Sequence, residues 1–89
     1  MTFPIPERKI SSRDTFVSVL RDVKRCIADG SLRQMKPANA PFAIDDVTSV
    51  PDEGPWPDYV EAYFEDRVGQ RYKLTAETYH GAGGSWEKI

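Results

Sequence analysis

The sequence predicts a single α+β domain of two layers, in which one N-terminal helix packs on an antiparallel four-stranded meander. Three observations lead to this fold class. An apolar stripe with the period of a helix runs through residues 12–29, and apolar and polar residues alternate through 58–66 and 70–79. The chain has 89 residues, so residues 1–89 are expected to form one small domain.

The N-terminal segment, residues 1–10, is predicted to be an extended arm. Pro4 and Pro6 hold the backbone away from helical geometry and restrict the residues that precede them. The arm carries two apolar side chains, Phe3 and Ile5, which could lie across an exposed face of the sheet.

The helix predicted over residues 12–29 begins after Ser11, which stands three positions before an acidic residue as in a capping box, and it ends at Gly30. Its apolar stripe consists of Phe16, Leu20, Val23 and Ile27. Cys26 is the only cysteine, so we expect a small buried apolar group in a reducing compartment, which favours the cytoplasm. No stretch approaches the roughly 20 apolar residues that a membrane span needs.

Four strands are predicted in the rest of the chain, and the segment 31–41 that precedes them is predicted to be an ordered connector because it contains two prolines. The predicted strands are residues 42–47, 58–66, 70–79 and 85–89. A turn-rich break at 51–57 separates the first strand from the second. Trp56 lies within this break, as a rigid plug over the edge of the core or as part of an aromatic face.

The two central strands are predicted to form a hairpin closed by the sequence DRVG, with a bulge at Gly69. In the predicted register, the core face consists of Phe64, Ala62 and Val60 opposite Tyr72, Leu74 and Ala76. The same register sets Glu65 opposite Arg71 on the outer face. Glu61 lies diagonal to Lys73, so two contacts between opposite charges also favour this pairing.

The glycine-rich stretch YHGAGGSW is predicted to be a hairpin loop over residues 80–85. Positive backbone φ angles are expected at Gly81, Gly83 and Gly84. The last strand then follows in a register that pairs Tyr79 with Trp86. A phosphate-binding loop is not expected, because such a loop needs a following helix and a GK[ST] element.

Charge is distributed unevenly, although the net formal charge is only −2. Residues 1–36 carry eight basic and four acidic side chains, whereas residues 37–89 carry four basic and ten acidic ones. Such asymmetry marks a partner-binding face, or simply a basic helix that lies against an acidic sheet. One cysteine and one histidine are too few for the usual zinc site, and the carboxylates lack calcium-loop spacing, so neither a metal nor a cofactor is expected.

The outer sheet face is predicted to bind a partner protein, because interfaces are rich in aromatic side chains with polar tips. The candidate residues are Tyr59, Glu61, Tyr63, Glu65, Glu77, Tyr79 and Trp86. The face is predicted to be acidic as well as aromatic, which favours a basic partner. In general character, a small acidic protein with such a face resembles immunity proteins that inhibit basic nuclease toxins. The sequence therefore predicts a non-catalytic cytoplasmic interaction protein, with cover by the arm or by a second copy in a homodimer as alternatives at this face.

Two functions of other classes are left open. A nucleic-acid binder would use the basic side chains of the helix and of the segment after it, which are Arg21, Lys24, Arg25, Arg33 and Lys36. A metal-free ribonuclease would use an outer-face glutamate as base and His80 as acid, an arrangement similar in kind to that of small microbial ribonucleases.

Overall fold

The computed structural model describes residues 5–78 and 83–89. In order along the chain, its elements are β1 (Arg8–Ile10), α1 (Arg13–Ala28), β2 (Leu32–Met35), a short 3-10 helix (Val47–Ser49), β3 (Tyr59–Asp66), β4 (Arg71–Glu77) and β5 (Gly83–Lys88). The strands form one antiparallel sheet in the order β1-β5-β4-β3-β2, and α1 packs on one side of it. The predicted two-layer α+β fold is confirmed, with five described strands instead of four.

Helix α1 begins one residue later than predicted. Its N-cap is Ser12, whose Oγ accepts a hydrogen bond from the backbone N–H of Thr15 at 3.2 Å, so the capping role predicted for Ser11 is wrong. The helix ends at Ala28, one residue earlier than predicted, with Asp29 as its C-cap, and Gly30 follows the cap with a φ of 82°. The buried face of α1 consists of Phe16, Val19, Leu20, Val23 and Cys26. Each of these side chains packs into the same core as the inner face of the sheet.

The central hairpin of β3 and β4 has the predicted register. Tyr59 lies opposite Glu77 and Glu65 lies opposite Arg71, and the six predicted core residues between them are buried. The turn is also as predicted. Gly69 has a φ of 87°, and the Asp66 carboxylate accepts backbone hydrogen bonds from Val68 and Gln70, each at 3.0 Å.

Strand β2 takes the place that the sequence predicted for residues 42–47. Leu32–Met35 pairs with the second half of β3, whereas the 42–47 segment meets β3 through a hydrogen bond from Ile44 N–H to the Glu61 carbonyl at 2.8 Å. The Gln34 side chain holds this segment by donating to the Ile44 carbonyl and accepting from the Val47 N–H. The strand predicted over 42–47 is therefore wrong, because a side chain rather than a backbone ladder fixes this segment.

The N-terminal arm also joins the fold differently. Its residues 8–10 form strand β1, which pairs with β5. Ile5 is buried in the core on the α1 side of the sheet, so the prediction that it lies across the outer face is wrong. Phe3 lies outside the described residues.

The register of β5 differs from the prediction by five residues. Trp86 lies opposite Leu74 instead of Tyr79. Because side chains alternate between the two faces of a sheet, an odd shift moves every side chain of the strand to the other face. Trp86 is consequently fully buried, where its ring stacks on Tyr72 with centroids 5.1 Å apart and its Nε1 donates to the Ile5 carbonyl at 3.3 Å.

The glycines of the predicted loop have different roles in the structure. Gly83 has a positive φ of 99°, as predicted, but it belongs to β5. Gly84 lies within the strand between Ile10 and Ala76, and a Cβ there would stand 1.9 Å from the Thr75 carbonyl oxygen. The prediction of a positive φ at Gly84 is therefore wrong, because this position needs glycine for close backbone approach. Gly81 and His80, predicted to lie in this loop, are outside the described residues.

Trp56 is a plug at the core edge, as predicted. Its ring meets Phe16 edge-on at 4.8 Å, and its Nε1 donates to the Pro51 carbonyl at 2.6 Å. The Arg13 guanidinium stands 4.8 Å from the ring centroid, so the exposed side of the indole is covered by a cation. Over residues 5–78 and 83–89, no helix has the length and apolar character needed to cross a membrane.

Candidate protein-binding face

We define the outer face as the side of the sheet opposite α1. Its side chains alternate along each strand with the buried ones, and they lie in four rows across the strands. The rows are Tyr59, Glu77 and Gly83; Glu61, Thr75, Ser85 and Lys9; Met35, Tyr63, Lys73 and Glu87; and Arg33, Glu65 and Arg71. Helix α1 and the buried connector residues Val47 and Val50 belong to the core on the other side.

A group of three side chains occupies the β3 part of the outer face. The Tyr59 hydroxyl donates to one oxygen of the Glu61 carboxylate at 3.0 Å, and the Tyr63 hydroxyl donates to the other at 2.8 Å. We call these three residues the Tyr–Glu–Tyr cluster. The ion pairs of the described residues do not include Glu61, so two neutral hydroxyls hold its negative charge in place.

The hydrogen bonds within the cluster also shift the tyrosine pKa values. The hydrogen bond to Glu61, followed by burial, raises the pKa of Tyr63 to about 12. Burial and then the hydrogen bond to Glu61 raise the pKa of Tyr59 above its ordinary value. Both hydroxyls therefore stay protonated and continue to donate to the carboxylate well above neutral pH.

Glu61 and Lys73 occupy diagonal positions on neighbouring strands, as predicted, but their side chains contact other groups. Lys73 Nζ stands 5.8 Å from the centroid of the Tyr63 ring, while Glu61 binds the two hydroxyls. The Tyr63 ring therefore lies between a carboxylate at its hydroxyl tip and an ammonium near its face.

Glu65 forms the centre of the row at the far end of β3. Its carboxylate binds Arg33 on one side and Arg71 on the other, the latter at 3.5 Å, and only 17% of its side chain is exposed. The hydrogen bond from Arg33 is the main cause that lowers the pKa of Glu65. This carboxylate is thus neutralised within the chain, unlike that of Glu61.

The outer face has a different charge from the one predicted. Strands β1, β2 and β5 add Lys9, Arg33 and Glu87 to it, so the described residues of the face carry four cations and four carboxylates. The prediction that the face is acidic overall is therefore wrong. The signs are nevertheless unequal along the strands. The row of Tyr59 and Glu77 is negative, and the row of Arg33, Glu65 and Arg71 is positive.

Of the seven residues predicted for this face, the structure places one elsewhere and leaves one outside the described residues. Trp86 is buried in the core, so its assignment to the partner-binding surface is wrong. Tyr79 lies outside the described residues. The five others, Tyr59, Glu61, Tyr63, Glu65 and Glu77, lie on the outer face as predicted. Sequence reasoning missed the contributions of β1 and β2, because strands of three and four residues are too short to show an alternating pattern.

The five cations proposed as a nucleic-acid site do not lie on a single surface of the structure. Lys24 donates to Asp52 at 2.7 Å and to the Val50 carbonyl at 2.5 Å, and Arg21 meets the same Asp52 carboxylate at 3.5 Å. The remaining pairs are Arg25 with Asp22, Arg33 with Glu65, and Lys36 with Asp45. Arg33 belongs to the outer face and the three helical cations to the opposite layer, so the set does not form one surface. Nucleic-acid binding stays a prediction.

The ribonuclease alternative stays a prediction as well. Glu61, Glu65 and Glu77 share one face as expected, but the proposed acid, His80, lies outside the described residues. Within the described part of the chain, no group of three or more histidine, cysteine, aspartate or glutamate side chains is placed to hold a metal ion.

The sequence and structure of this chain were compared with those of known proteins. No protein-family model, curated protein or solved structure matches the chain.

Proposed function

We propose that this chain is a small, non-catalytic protein-binding domain and that the outer face is its interface. The Tyr–Glu–Tyr cluster carries the proposal. Its rings are held by hydrogen bonds before any partner arrives, so little side-chain entropy is lost on binding. Tyr59 is 44% exposed and Tyr63 half-buried, which leaves apolar ring surface available for contact.

The cluster also favours a particular kind of contact. The Glu61 carboxylate is oriented by two hydroxyls, and none of the ion pairs of the described residues includes it. An arginine or lysine of a partner would gain a charge-assisted hydrogen bond there and would pack beside two rings. This supports a contact with a cationic side chain, whether or not the partner is basic overall.

The size of the face indicates how strong such an interface would be. Five strands about 4.8 Å apart and a longest strand of eight residues at about 3.3 Å each give a face of roughly 500 Å². A standard interface buries about 800 Å² per partner. We therefore expect a transient complex in which a few central residues supply most of the affinity.

An inhibitor of immunity type, directed at a basic nuclease toxin, is the most concrete form of the proposal that the sequence suggested. Cytoplasmic location belongs to the same proposal, and the single cysteine, Cys26, which is buried in α1, supports it. An inhibitor located in the cytoplasm has a further consequence that can be tested. The captured partner would be a cytoplasmic or imported basic enzyme, and its activity would fall when this chain is added.

Affinity capture with matched variants tests the proposal. The tagged chain, its Tyr63→Ala variant and its Phe42→Ala variant are each used on nuclease-treated cell extract, and the captured proteins are identified by mass spectrometry. Phe42 is 79% exposed and lies in the connector outside the sheet, so it controls for loss of an exposed ring. We expect a stoichiometric protein that Tyr63→Ala loses and Phe42→Ala retains. Equal capture by all three folded chains would contradict the proposal.

A further inference from the structure

We infer that the partner of the outer face is a second copy of this chain, so that two sheets pack face to face in a symmetric homodimer. This inference rests on the proposed function and names the occupant of the same face. The argument is charge complementarity. A face of one sign would repel its own copy, whereas this one carries four cations and four carboxylates on its described residues.

The order of the charges along the strands makes the face complementary to itself. The row of Tyr59 and Glu77 is negative, and the row of Arg33, Glu65 and Arg71 at the other end is positive. Consider a two-fold axis that lies in the plane between the two packed sheets, at right angles to the strands and between the two middle rows. Rotation about this axis places β3 over the partner's β3 with the strand direction reversed. The negative end of each copy then lies over the positive end of the other, as an isologous interface requires.

This arrangement brings complementary groups together along β3 and β4. Glu77 lies over the partner's Arg71, and Tyr59 lies over the partner's Glu65. In the middle rows, Glu61 lies over the partner's Tyr63 and beside the partner's Lys73. No two like charges on β3 and β4 are placed directly opposite, and each contact occurs twice because of the symmetry.

An axis parallel to the strands is less favourable. It would set the negative row of Tyr59 and Glu77 over the same row of the partner, and the positive row of Arg33, Glu65 and Arg71 over its own copy. The crossing axis instead gives Glu61 the cationic neighbour that the described ion pairs do not give it. At roughly 500 Å² per copy, the interface lies at the weak end of protein complexes, so we expect a dimer that forms at about 10 µM to 1 mM.

Sedimentation velocity over this concentration range tests the inference. The weight-average mass of the wild-type chain should rise from 10.1 kDa toward twice that value. Glu77→Arg and Arg71→Glu should each raise the dissociation constant at least tenfold, because each sets like charges opposite in both symmetric contacts. An equimolar mixture of the two variants should recover the wild-type association, since both contacts are again between opposite charges in the mixed dimer.

Two control variants make the same charge changes away from the outer face. Glu53→Arg and Arg25→Glu alter exposed residues on the α1 side, and they should associate as the wild type does. Circular dichroism confirms that every variant is folded. A mass that stays at 10.1 kDa throughout, or a Glu77→Arg variant that associates like the wild type, would overturn the inference.

The two proposals fail in different ways. If the chain is monomeric but a captured protein is lost with Tyr63→Ala, a different chain occupies the face and only the homodimer is refuted. If the chain neither associates with itself nor captures a protein through Tyr63, both proposals are refuted.

Discussion

Substitution of Trp86 tests which residues form each face of the sheet. Trp86 is buried in the observed register of β5 and would be exposed in the register predicted from the sequence. Trp86→Ala removes a fully buried indole that stacks on Tyr72 at 5.1 Å and meets Phe64 at 5.6 Å. It also leaves the Ile5 carbonyl without the donor that now lies 3.3 Å away. Truncation of a buried tryptophan to alanine costs about 3–5 kcal/mol.

This loss is large relative to the stability of the domain. At about 0.05–0.15 kcal/mol per residue, a chain of 89 residues has a free energy of unfolding of about 4–13 kcal/mol. With a urea dependence of about 1 kcal/mol/M, the unfolding midpoint of Trp86→Ala should fall by about 3–5 M. Far-ultraviolet circular dichroism is the suitable readout, because it does not depend on the tryptophan that is removed.

Two further variants separate a packing effect from a general effect of losing an aromatic ring. Trp86→Phe keeps most of the buried ring and should cost about 1–2 kcal/mol, through the lost hydrogen bond and the smaller volume. Tyr63→Ala removes a ring from the outer face and should cost about 1 kcal/mol. If Trp86→Ala cost no more than Tyr63→Ala, the side chain would be on the outer face and the register of β5 described above would be wrong.

Two other predictions concern the backbone of β5 and the Tyr–Glu–Tyr cluster. Gly84→Ala should lower the thermal unfolding midpoint by more than Gly69→Ala does. A Cβ at Gly84 would stand 1.9 Å from a β4 carbonyl oxygen, whereas a Cβ at Gly69 meets nothing within 4 Å. Equal losses in the two variants would show that β5 does not approach β4 this closely. Absorbance titration of the phenolate should show Tyr63 ionising near pH 12 instead of 10, and Glu61→Gln should lower that pKa. Since the folded pKa of Tyr63 is the higher one, its contribution to stability is complete below about pH 10 and is lost as the pH rises to about 12; a Tyr63 that titrates at its ordinary pKa would contradict the hydrogen bond.

The parts of the fold that the sequence predicted correctly are those with local signals. Helix α1 has a continuous apolar stripe and a glycine stop, and the β3–β4 hairpin has both a turn sequence and alternation over two strands. In that hairpin, the Glu65–Arg71 charge pair and the apolar core pairs independently favour the same register, so the prediction does not depend on either one alone. The face that carries Tyr59, Glu61 and Tyr63 followed directly from this register.

The parts that could not be predicted depend on contacts between distant segments. Strands β1 and β2 are short, and each is fixed by a neighbour that is far away in sequence. The register of β5 was inferred from a loop length based on glycines, but Gly84 is required by the close approach of β4, which the sequence does not show. Only the parity of β5 has a local signal, because an outward Trp86 would turn Ser85 and Glu87 toward the core.

The same shift of register determines how the outer face can recognise a partner. It removes Trp86 from the face and adds Glu87, while Arg33 enters from β2, so the described charges cancel over the face as a whole. A face without net charge gives little long-range attraction, and its association rate should depend weakly on salt. Discrimination must therefore come from pairs in direct contact. A reversed charge at Glu77 should consequently act mainly by raising the dissociation rate of the complex.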